Sequence, residues 1–175
     1  MTQTSAGDEQ VRGWFAGRIP DGWFTEAPEV TYDRDEILVV GTLAAPTVAE
    51  GASEEERHAA AAARIDGHRE DTRRQRMAIA DDAERAFGRK VSWGAVCGDT
   101  RRLFTVQAVP AMTRLRLAER RVLDTLVEAG VARSRSHALA WCVRLVGEKQ
   151  EEWLGDLRQA LKAVEQVRSE GPDEA

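Results

Sequence analysis

The chain has 175 residues, a net charge of −5 and a composition of 42% hydrophobic and 31% charged residues. That is a globular composition, long enough to bury one moderate core or a small domain plus a dimerisation module. No apolar run reaches the length of a membrane span, and the start, MTQTSAGDEQ, lacks the apolar stretch of a secretory leader. The two cysteines, Cys97 and Cys142, lack metal-type spacing. A cytoplasmic protein with reduced thiols is therefore expected, and the wealth of Ala, Arg, Glu, Gly and Val suits a bacterial source.

Taken in chain order, residues 1–13 are polar and are expected to be disordered. The stretch to about residue 45 reads as β-rich, with a Trp-Phe pair occurring twice, Trp14-Phe15 and Trp23-Phe24, around the turn signal Ile19-Pro20-Asp21-Gly22. These rings serve either as the bulk of a small core or as a recognition surface, and their number favours the core. Two strands follow, around Glu29–Tyr32 and Ile37–Leu43, joined by the polar turn Asp33-Arg34-Asp35-Glu36.

After a loop over residues 44–52, the string Ser53-Glu-Glu-Glu56 is a capping box that opens a long helix. The helix is expected to run to Phe87, weaken at Gly67 and stop at Gly88, with Met77, Ala80, Ala83 and Phe87 on one stripe. Arg69, Arg73, Arg74 and Arg76 are interleaved with Glu70 and Asp71, a pattern commoner on a solvated helix face than at a nucleic-acid contact. Lys90–Cys97 and Leu103–Val109 then read as a second hairpin about Gly98-Asp99-Thr100-Arg101, closed by Pro110.

The segment Met112–Gly147 carries the most information. Arg114-Leu115-Arg116-Leu117 alternates, which puts the two leucines on one face of a strand and the two arginines on the other. Val122, Leu123, Leu126 and Val127 make one helical stripe, Gly130 suits a left-handed stop, and Ser134 or Ser136 caps a second helix. Ala138, Leu139, Cys142, Val143, Leu145 and Val146 make that second helix too apolar for an ordinary surface helix. In order and spacing this segment resembles the ribbon-helix-helix family of dimeric DNA-binding proteins (the Arc/MetJ type and related antitoxin repressors).

The resemblance implies a homodimer whose two strands pair into a ribbon lying in the DNA major groove. On that reading Arg114 and Arg116 read bases, with Met112 the next position outward. Ser134, Arg135, Ser136 and the N-terminus of the second helix hold phosphate. Leu115, Leu117, Leu139, Cys142 and Val146 form the dimer core. The charge agrees locally: seven arginines against three carboxylates make this segment +4.

A last helix over residues 148–168, with Trp153, Leu154, Leu157, Leu161 and Val164 as its stripe, packs on its own core or grips a protein partner. A disordered tail over 169–175 is expected to follow. The fold class is thus α+β: N-terminal β-hairpins, a long helix and a second hairpin in a domain over 14–110, then the ribbon-helix-helix-like segment over 111–147 and a C-terminal helix. No nucleotide loop, metal-ligand spacing or nucleophile motif is present, so no cofactor, no metal and no enzymatic activity are expected. A dimeric transcription regulator on double-stranded DNA is the leading expectation. The alternative is a non-enzymatic interaction module that uses the same segment to dimerise or to dock on a protein or RNA-containing assembly.

Overall fold

The computed structural model describes residues 4–170, with side chains from residue 9 to residue 168. Expectations for residues 1–3 and 171–175 lie outside the described residues. The chain divides into two compact units, one ending at Pro110 and the other beginning at Ala111.

The N-terminal unit opens with helix α1 (Thr4–Arg18), where strands and disorder were expected. The physical reason lies in three residues. Val11, Trp14 and Phe15 sit at i, i+3 and i+4, a helical stripe, and Val11 and Phe15 are buried. A strand would have sent the adjacent rings of Trp14 and Phe15 to opposite faces.

Strands β1 (Glu29–Tyr32) and β2 (Glu36–Thr42) fall where expected and pair antiparallel, with Val30 opposite Val39. Their turn is held by Asp33, whose carboxylate accepts from the N–H groups of Asp35 and Glu36 at 2.8 Å each. Those two bonds hold the Asp33 carboxyl below its ordinary range.

Ser53 caps helix α2 (Glu54–Asp71) with the reciprocal box complete: its hydroxyl accepts from the Glu56 N–H, and the Glu56 carboxylate accepts from the Ser53 N–H. The break before α3 (Arg73–Phe87) falls at Thr72, not at Gly67. The Thr72 hydroxyl donates to the His68 carbonyl and accepts from Arg76 Nε at 2.9 Å, so a side chain competes for the helical ladder at that point. The inward stripe of α3 is Arg76, Ile79 and Ala83; Met77 is exposed. Gly88 ends α3 in the left-handed region, at φ 68°.

Strand β3 (Lys90–Cys97) lies parallel to β2, Val39 beside Trp93, so α2 and α3 form the crossover that a parallel pair requires. Strand β4 is Thr100–Leu103, not 103–109, and joins β3 across a two-residue turn with Gly98 at φ 56°. The closer turn lets Cys97 pair directly with Thr100, and the sheet is complete at four strands, in the order β1-β2-β3-β4.

One face of this sheet carries the helices. Ile37, Val39, Trp93 and Val30 pack with Val11 and Phe15 of α1 and with Ile79 and Ala83 of α3. Leu43, Ala95 and Cys97 pack with Ala61 and Ile65 of α2. The paired aromatics join this core: Trp14 meets Phe15 and Phe87 edge-on, and Trp93 meets Phe15 and Trp23. Gly41 is required where Phe24 lies on the sheet, because a Cβ there would meet its ring at 2.1 Å.

The C-terminal unit consists of α4 (Leu117–Glu128), α5 (Arg135–Lys149) and α6 (Glu151–Glu170). Its buried core is small: Leu123, Ala132 and Ala138, with Leu115, Leu126, Val127, Leu139 and Cys142 partly buried around them. Gly130 ends the α4 turn at φ 74°, and Ser134 caps α5, both at the expected positions.

Candidate nucleic-acid interface and the cavity of the N-terminal unit

In the C-terminal unit, residues 111–116 adopt neither helix nor strand, and Leu117 opens α4 instead of closing a strand. A two-stranded ribbon made from two chains has its hydrogen-bond partner on the second chain, and one copy of the segment supplies none. The Arg116 backbone is extended, at φ −77° and ψ 171°. Two contacts hold this approach to the helix. The Glu119 carboxylate accepts from the Arg116 N–H, and Arg120 donates to the Leu115 carbonyl at 2.6 Å. Met112, Arg114 and Arg116 are exposed, while Leu115 turns into the small core. The alternation read from the sequence thus separates Leu115 from its flanking arginines, and its continuation to Leu117 is lost because that residue belongs to the helix and is 65% exposed.

At the start of α5, the Ser134 hydroxyl accepts from the His137 N–H at 3.2 Å, and His137 Nδ1 accepts from the Arg133 N–H at 3.3 Å. Ser136 is exposed beside it. Arg135 is already engaged: its Nε and Nη2 donate to the two carboxylate oxygens of Asp124 at 2.6 and 2.7 Å. This fork ties the N-terminus of α5 to α4, and it draws the Asp124 carboxyl below its ordinary range. Sequence reasoning assigned Arg135 to phosphate and missed Asp124, because the pair is eleven residues apart and spans a turn. Of the expected dimer core, Leu139, Cys142 and Leu115 are partly buried within the unit, whereas Leu117 and Val146 are exposed. Val122, Val143, Trp153, Leu157, Leu161, Val164 and Val167 are exposed as well.

The N-terminal unit holds a second candidate site that sequence reasoning did not find. A cavity of about 700 Å³ lies beyond the carboxyl ends of the parallel strands β2 and β3. Ala45, Pro46 and Val48 form one wall, the first two turns of α2 another, and the β3–β4 turn a third. Ala59, Ala61 and Gly98 are among its lining residues. The buried Thr100 lines it, its hydroxyl 3.1 Å from His58 Nδ1, and behind it the fully buried Cys97 thiol lies 3.9 Å from the Ala44 carbonyl. The only sequence signal is the alanine run after the capping box, which reads as helix propensity and not as room for a ligand.

Arg76 is 6% exposed. It is held by neutral acceptors, the Thr72 hydroxyl and the Arg69 carbonyl at 2.6 Å, and by the face of Phe104 at 4.6 Å. Burial, reinforced by the Arg76 charge, pushes the nearby His68 below its ordinary pKa. Among the described residues no group of His, Cys, Asp and Glu is arranged to hold a metal, and no helix is long and apolar enough to cross a membrane.

The architecture defines a two-unit α+β protein: a helix-covered mixed sheet followed by a three-helix unit. Comparison with known proteins divides the chain in the same way. Residues 9–103 match the family described as Rv1265-like protein, N-terminal domain, and residues 116–168 match the Mb1296 C-terminal domain. The uncharacterized proteins Rv1265 of Mycobacterium tuberculosis and Mb1296 of Mycobacterium bovis are each 56% identical over 160 residues, spanning 91% of this chain and 69% of theirs. The chain belongs to this Rv1265-like family. No solved structure matches it.

Proposed function

We propose that the protein is a cytoplasmic, dimeric, DNA-binding transcription regulator whose residues 112–116 pair with a second copy to form a ribbon in the major groove. The observation that carries this reading is the exposed approach to α4, extended at Arg116. It presents Arg114 and Arg116 to solvent and turns Leu115 inward, while the sheet of the N-terminal unit is complete without it. Arg114 and Arg116 then read bases, with Met112 beside them. Ser134, Ser136 and the free N–H groups of the first turn of α5 hold phosphate. Arg135 acts through Asp124 by fixing the direction of α5. The exposed Leu117 and Val146 become part of the contact between copies, continuous with Leu115, Leu139 and Cys142.

A salt-controlled binding titration tests this, after selection of a cognate duplex from random DNA. Replacing Arg114 or Arg116 by Ala should cost about 1–3 kcal/mol at the cognate site and relax specificity at one base position. Ser134→Ala should weaken cognate and scrambled duplexes alike, since a phosphate contact carries no sequence information. Arg73→Ala, on α3, should change little. If selection enriches no motif and the wild type binds no better than Arg114→Ala, the DNA reading fails. A second reading then takes its place: a docking module for a protein or RNA-containing assembly, favoured by the exposed apolar stripe of α6 over residues 153–167.

A further inference from the structure

We propose that the cavity of the N-terminal unit binds a small, largely apolar molecule that carries a protonated amine. The first argument is position. The cavity lies outside the carboxyl ends of β2 and β3, the parallel pair among the described strands. Here the ends of β2 and β3 at Thr42 and Cys97 open onto it, with the loop after β2 and the turn after β3 as its sides.

The second argument is size and lining. About 700 Å³ falls within the range of small-molecule sites, which bury most of an apolar ligand against a few fixed polar groups. The walls offer Pro46, Val48 and Ala61. The fixed polar group is Thr100, 6% exposed and held by His58.

The third argument is charge. Glu54, Glu55 and Asp99 line the cavity against one cation, Arg57. Three carboxylates against one guanidinium give these four groups a formal net charge of −2. The three carboxylates oppose the positive end of the α2 dipole, which would otherwise favour an anion. An apolar body with an ammonium group satisfies the walls and the rim together; a carboxylate or phosphate of the same size meets like charge at the mouth.

The test uses the full chain and three probes of one shape: tryptamine, neutral indole and indole-3-propionate. Binding is followed by amide shifts in protein NMR near neutral pH. Tryptamine should shift the amides of Ala59–Ala61 and Gly98–Thr100, and bind more tightly than indole, with indole-3-propionate weakest. Glu55→Gln and Asp99→Asn should each weaken tryptamine about 2- to 5-fold, as expected for partly exposed ion pairs, and leave indole unchanged. Ala61→Phe should abolish binding of all three by filling the cavity. Should that variant fail to fold, Ala45→Phe, at an exposed position on the wall, serves the same purpose. Indole-3-propionate binding as tightly as tryptamine would overturn the charge assignment. Absence of shifts at these amides with every probe, or undiminished binding by a folded filled variant, would overturn the site.

Discussion

The two units of this chain solve the problem of burial differently. The N-terminal unit encloses its large side chains: Phe15, Ile37, Val39 and Ile65 are fully buried between the sheet and its three helices. The C-terminal unit buries Leu123 and two alanines and leaves long apolar residues exposed on all three of its helices. The first is a self-sufficient core. The second buries few side chains for the three helices it orders, and on the proposed reading a second copy covers what it leaves exposed. Its exposed apolar residues are therefore informative in a way that scattered surface leucines are not.

The sharpest way to break this contrast is to damage each core in turn. Phe15→Ala should destabilise the N-terminal unit by about 3–5 kcal/mol, because a fully enclosed ring leaves a cavity between α1 and Trp93. Denaturant unfolding followed by tryptophan fluorescence reads this, and its midpoint should be independent of protein concentration. The C-terminal unit should behave oppositely. Val146→Asp, at a position 49% exposed in one copy, should scarcely alter a lone chain but should shift sedimentation from a dimer toward the 19.4 kDa monomer. A wild-type protein that sediments only as a monomer at micromolar concentration would remove the basis for the contrast.

A smaller effect separates the units by pH. His68 has its folded-state pKa below 6.5, chiefly through burial and next through Arg76. The unfolded chain therefore binds more protons than the folded one as pH falls below about 6.5, so the N-terminal unit is most stable above that value and loses stability beneath it. His68→Phe should flatten this slope. Asp124 acts in a lower window. Its carboxyl is drawn below 3.8 chiefly by the hydrogen bond from Arg135, so the support it gives is present above that value and lost as pH falls through its folded pKa. Melting curves of the wild type and of His68→Phe between pH 5 and 8 separate the two groups, since Asp124 does not titrate there.

Local chemistry was legible in the sequence wherever a few adjacent residues decide the outcome. Ser53 and Glu56, Gly88, Gly130 and Ser134 each terminate a helix by their own side chain or by glycine's access to positive φ, so their positions agree with the structure. The same local view failed at α1, where two adjacent aromatics suggested strand and the spacing from Val11 was the better guide. It failed at Thr72 because the break depends on Arg76 reaching back along the helix. Pairing between segments distant in sequence was not legible at all. Nothing in β2 alone indicates that it will lie parallel to β3, and the cavity is assembled from residues 45–48, 54–61 and 97–100, which no spacing rule connects. In the C-terminal unit the reverse holds: the α4–α5 turn and its caps were readable, and the fork between Arg135 and Asp124 was not.

The parallel neighbourhood of β2 and β3 also sets an order of events in time. Val39 must wait for Trp93, with two whole helices between them, before the middle of the sheet can close. Long-range closure of this kind slows folding relative to units built from neighbouring helices. During synthesis, β2 therefore leaves the ribosome with one edge unsatisfied and stays so until Lys90–Cys97 follows. The hydrophobic strand Ile37-Leu38-Val39-Val40 is in that interval an open edge that a wrong neighbour can pair with.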